Sequence, residues 1–108
     1  MTSVDAAALA LDHAPIPADS VVHGAPTTGH RDLMSVADTT IGVWEHTPGV
    51  SRDVEADEVF VVLAGDATVT FDDGSAPIDL RPGSLVRLHA GQHTTWTVRE
   101  TLRKVYVA

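Results

Sequence analysis

Val59-Phe60-Val61-Val62-Leu63-Ala64-Gly65-Asp66-Ala67-Thr68-Val69-Thr70-Phe71-Asp72-Asp73-Gly74 is the stretch that decides the fold. Its first five residues are all apolar and rich in Val, the pattern of a strand covered on both sides. Gly65-Asp66 then reads as a turn. Ala67 to Phe71 alternates, with Ala67, Val69 and Phe71 on one face and the two threonines on the other. Asp72-Asp73-Gly74 reads as a hairpin turn, Gly74 supplying the positive φ such a turn needs. Outward from this stretch, turn signals recur at Pro48-Gly49, Pro82-Gly83 and Ala90-Gly91, the last intervals about eight or nine residues long. That rhythm marks short antiparallel strands in a sandwich or barrel. No stretch of the body keeps a helical period, so the fold class is all-β, closed on itself to protect its strand edges.

The chain has 108 residues, enough for one domain with one core. Its aromatics Trp44, Phe60, Phe71, Trp96 and Tyr106 all follow position 43, which places the packed body at about 40–107. Residues 1–20 read as a flexible tail, with Asp5–Leu11 able to make about two helical turns before Pro15. Residues 21–39 read as an arm on a barrel domain spanning 21–108. Fifteen acids against seven Lys and Arg give a formal charge of −8. That charge opposes nucleic acid and anionic membrane surfaces. There is no cysteine, so thiol catalysis and Cys-ligated metals are excluded. No signal peptide or long apolar run is present, and a cytoplasmic location is expected.

Several segments resemble the cupins, a superfamily of small β-barrels. Glu58-Val-Phe-Val-Val-Leu-Ala-Gly65 and Gly83-Ser-Leu-Val-Arg-Leu-His-Ala-Gly91 resemble the two cupin motifs. Gly42-Val-Trp-Glu-His-Thr-Pro-Gly49, Gly91-Gln-His-Thr-Thr-Trp96, Arg103-Lys-Val-Tyr106 and Pro26-Thr27-Thr28 resemble the single-domain group related to ureidoglycine aminohydrolases. The resemblance implies a cupin jelly roll, a double-stranded β-helix or conical barrel, with a functional pocket inside and a homodimeric assembly. It also implies a divalent metal held by three His and one Glu. Here Ser51, Arg52, Asp53 and Val54 fill the window of the first two His, Thr94 stands at the third, and only Glu58 remains. No metal or other cofactor is therefore expected, since one carboxylate does not make a transition-metal site. A non-standard set of Glu58, His46 and His89 is the alternative. His93, next to Thr94, should face outward.

Strand parity puts Glu58, Phe60 and Val62 on one face, Thr94, Trp96 and Val98 on a second, and Lys104 with Tyr106 on a third. Glu58 and Lys104 are the candidate catalytic groups. Arg52, Phe60, Thr94, Trp96 and Tyr106 are the candidate pocket. Glu58 buried in an apolar wall would either have its pKa raised or pair with Arg52 or Lys104. Phe60 and Trp96 also suit plain core, and Lys104 with Tyr106 suits a rim pair. Asp53, Glu55 and Asp57 read as a solvated acidic face, and His13, His23 and His30 as exposed. The functions left standing are a metal-independent enzyme acting on a small polar metabolite, a binding module for such a metabolite, and a metal-dependent aminohydrolase.

Overall fold

A computed structural model describes residues 3–108, so the first two residues of the expected tail lie outside the described residues. Nine strands follow one another: β1 (Ala14–Pro15), β2 (Val21–His23), β3 (Thr27–Val36), β4 (Thr39–His46), β5 (Gly49–Val54), β6 (Glu58–Phe71), β7 (Ile78–Leu80), β8 (Leu85–Leu88) and β9 (His93–Val107). One 3-10 turn, Ala18–Ser20, precedes β2. The all-β, barrel-like expectation is met. No helix among the described residues is long and apolar enough to cross a membrane.

Two long strands organise everything else. On one edge of β9, His93–Val98 pairs with β5 and Leu102–Val107 pairs with β4. On its other edge β9 runs antiparallel to β6. β6 in turn carries β8 on its first half and β7 on its second. The register between β6 and β9 shifts repeatedly between Val62 and Ala67. Such bulges bend a strand and raise its twist. The sheet is thereby divided into a β3-β4-β9-β6-β8 half and a β2-β5-β9-β6-β7 half, with the core between them.

Gly65, expected to be a turn, is instead the middle of this bent strand. Its φ is +107°, and an added Cβ would run into the backbone of Thr101 and Leu102. Only glycine allows both the backbone conformation and the approach. The expected double cover of Val59–Leu63 is also corrected. Phe60 and Val62 are buried, but Val59 is 38% exposed and Val61 and Leu63 only half-buried. The outer side chains of this stretch of β6 are thus less covered than its inner ones.

The inward faces form one apolar cluster, including Phe60, Val69, Leu80, Leu88, Trp96 and Leu102. Burying each large aliphatic or Phe side chain contributes about 1.5–3 kcal/mol. Residues 5–9 make a single turn, with the Ala8 and Leu9 N–H groups both donating to the Asp5 carbonyl. The two turns expected there reduce to one because so short a helix lacks propagation. Beyond it, β1 pairs with β3 and the chain crosses Gly29, where a Cβ would lie 2.5 Å from the Asp12 carbonyl oxygen. Arg103 donates to the Ala6 carbonyl at 2.9 Å.

Candidate functional site

β4 turns Trp44 and His46 inward, and its alternation sends Glu45 to the outer face. There Glu45 accepts from Arg103 at 2.8 Å and bonds His13 at 2.7 Å. His13, expected to be exposed, is tied to the sheet by this bond. Its side chain is 22% exposed.

The strand faces read from the sequence do converge. Val62 and Lys104 are register partners across β6 and β9, which brings the Lys104 side chain beside Glu58 on the same face. The Lys104 ammonium donates to Glu58 Oε2 at 2.7 Å. It also lies 4.5 Å from the Trp44 ring centroid, 4.3 Å from Phe60 and 5.0 Å from Trp96. At 4% exposure, this lysine is almost wholly withdrawn from water. A buried charge survives only with a counter-charge and favourable contacts. Glu58 supplies the first, and the ring faces add cation–π attraction.

Around this pair lies a cavity of about 560 Å³. Glu58, Lys104, Trp96, Tyr106 and Arg52, all among the candidate residues, line it. Phe60 does not reach it and serves as the floor under the ammonium. Thr94 opens on a smaller neighbouring cavity of about 270 Å³ that Arg52 and Asp53 also line. Ile16, Pro17 and Ser20 of the N-terminal segment contribute one wall of the larger cavity.

The acidic run needs a correction. Glu55, read as part of a solvated face, lines the larger cavity. Its Oε2 accepts from the Thr94 hydroxyl at 2.5 Å and from the Trp96 indole N–H at 3.2 Å. Burial is the main cause pushing the Glu55 carboxyl above its usual range, and the nearby Asp53 charge adds to it. Thr94, Trp96 and the Lys104 charge pull the other way. Backbone bonds from Glu55 N–H to Gln92 O and from Gly91 N–H to Glu55 O pin this loop. No periodicity in the sequence announces such a loop contact. Trp44, His46, Ser51 and Asp32 also line the cavity. The shared face of Trp44 and His46 was the available signal for the first two.

Tyr106 donates its hydroxyl to Asp32, and burial together with that bond raises the phenol pKa above its usual value. Gly42 lies under the Tyr106 ring, which an added Cβ would overlap. His46 is 1% exposed. Its Nδ1 faces the Thr47 carbonyl at 2.6 Å and its Nε2 faces the Ser51 hydroxyl at 2.8 Å. A carbonyl only accepts, so Nδ1 carries the proton and Nε2 accepts from Ser51. Burial lowers the His46 pKa, in keeping with this neutral ring.

These assignments bear on the metal that the cupin resemblance implies. Glu58 is engaged by Lys104, and both nitrogens of His46 are engaged by the protein. His89 and His93 are exposed and line no part of the larger cavity. Among the described residues no group of three His, Asp or Glu side chains is placed to hold an ion. The residues do not fit a divalent metal, and the alternative set of Glu58, His46 and His89 is not assembled.

A curled antiparallel jelly-roll sheet with a cavity beside its core is the architecture of a cupin. The profile of the EutQ-like cupin domain matches residues 36–106, and the chain belongs to that family. No curated protein matches the chain. Among solved structures, a Pseudomonas syringae protein of unknown function is 21% identical with a TM-score of 0.77, over 94% of this chain and 45% of that one. A putative ethanolamine utilization protein from Salmonella typhimurium is 19% identical with a TM-score of 0.64, over 75% of this chain and 68% of that one. A cupin superfamily protein from Desulfitobacterium hafniense is 18% identical with a TM-score of 0.60, over 75% of each chain. At these identities the likeness is one of fold. The chain spans less than half the length of the Pseudomonas syringae protein.

Proposed function

We propose that the chain is a small-molecule cupin that works without a metal ion, holding a small polar metabolite in the barrel cavity. The observation that carries this reading is the Lys104–Glu58 pair beside a cavity of about 560 Å³, a size suited to a metabolite. Glu58 and Lys104 are the groups placed for proton transfer, and Trp96 and Tyr106 are walls. The partners in this reading are the metabolite and a second copy of the chain, not nucleic acid or membrane, in the cytoplasm. The ureidoglycine aminohydrolase-related grouping rests on the motifs quoted above, and the homodimer rests on the cupin resemblance alone.

A thermal-shift screen against polar metabolites, with and without chelator, tests the proposal. A ligand at about 100 times its Kd stabilises by about 2.7 kcal/mol, a shift on the order of 10 °C for a domain of this size. The expected result is a shift insensitive to chelator. A shift that requires added divalent metal would overturn the metal-free reading. Product appearing in the mixture by mass spectrometry would make the protein an enzyme rather than a binding module.

A further inference from the structure

The cavity of the proposed function has a charge sign that narrows its ligand. Four carboxylates line it, Asp32, Asp53, Glu55 and Glu58, against the cations Lys104 and Arg52. Lys104 is already committed to Glu58. Asp32, Asp53 and Glu55 therefore stand against one guanidinium, that of the exposed Arg52, and the His30 imidazole on the same wall. The whole chain, at −8, deepens the negative potential. A carboxylate or phosphate entering this space meets like charge, while a cation meets charge in need of a partner.

Hydrogen-bond capacity points the same way. Glu55 takes both its donors on Oε2, and among the described residues none donates to Oε1. Among the described residues, Glu58 accepts from Lys104 on Oε2 alone, and Asp32 accepts from Tyr106 on Oδ1 alone. Each keeps an oxygen that can only accept, so the ligand must donate. The remaining walls are Trp44 and Trp96, with ring centroids 5.5 Å apart and planes inclined by 53°. Such an aromatic corner takes an apolar body and attracts cations.

Resting on the small-molecule reading above, we infer that the ligand is a small organic cation carrying N–H donors, an amine, amidine or guanidine. Its charge is met by Glu55 with the free oxygens of Glu58 and Asp32, and its body packs on Trp44 and Trp96. Lys104 does not compete for this ligand, because its charge is already met by Glu58.

Three probes of one shape and different charge test this: benzamidine (cationic), benzamide (neutral) and benzoate (anionic). Both tryptophans of the chain line the cavity, so intrinsic fluorescence reports its occupancy. The expected result at low ionic strength is saturable quenching by benzamidine, at least tenfold weaker binding of benzamide and none of benzoate. Glu55→Gln should weaken benzamidine tenfold or more while keeping the fold, because an amide oxygen still accepts from Thr94 and Trp96. Asp32→Asn is the second variant, with a loss of about threefold or more. Glu58→Gln is unsuitable alone, since it strands a buried ammonium. Benzoate or benzamide binding at least as tightly as benzamidine overturns the cation assignment and leaves the small-molecule reading standing. Equal benzamidine affinity in wild type and both variants overturns the role of the carboxylates. Saturation by none of the probes at millimolar concentration overturns the inference, and failure of the metabolite screen as well overturns the reading beneath it.

Discussion

Lys104 is the only lysine of the chain and sits at 4% exposure among three rings and one carboxylate. Removing one member of a buried ion pair strands the other, at a cost of about 3–5 kcal/mol. The Glu58 side chain keeps 19% of its exposure, so water recovers part of that cost. Lys104→Met should therefore destabilise by about 3 kcal/mol in urea unfolding, and adding Glu58→Gln should restore part of the loss. Additive losses in the double variant would show that the two groups are not coupled. Both residues were legible as inward-facing, because alternation on a strand is local. Their contact was legible only as one of two options, Arg52 or Lys104. Glu55 was misread because a loop carries no alternation that says which way a side chain points.

At the scale of the element, the bend in β6 decides the shape of the barrel. A run of apolar residues followed by Gly and then by alternation reads as two strands and a turn. The structure makes it one strand of fourteen residues, because both halves keep pairing with β9 across a bulged centre. Gly65→Ala is strained twice over, by its φ of +107° and by contact with the Thr101 backbone. Alanine at such a position destabilises by more than about 1 kcal/mol. Thermal unfolding should show the loss, and an unchanged midpoint would mean that the bend tolerates a Cβ.

For the whole molecule, charge and burial combine in the pH profile. His46 has a lowered pKa, so the unfolded chain takes its proton first as pH falls below the ordinary histidine value of 6.5. Its share of stability is complete above that value and is lost as pH drops toward the folded pKa. Glu55 has a raised pKa, so the folded state holds the proton longer as pH climbs. Stability from that group is complete below the ordinary glutamate value of 4.5 and is lost as pH rises through the folded pKa. Glu55→Gln should then raise the melting temperature at pH 7, with the gain fading as pH approaches 4.5. A gain that persists unchanged at pH 4 would assign the effect to something other than this carboxyl.

Alternation, turn residues and the count of aromatics determined the all-β class, the inward faces and the body of the core. These follow from the pleat of a strand and from burial of apolar area, which depend on neighbours in sequence. Which faces meet was decided by the tertiary structure alone. Glu58 and Lys104 are 46 residues apart and touch because β6 lies beside β9. Glu55 and Thr94 are 39 apart and bond because a loop is pinned to the turn before β9. The sign of the cavity followed only then, since a charge counts toward a ligand only when no neighbour has neutralised it.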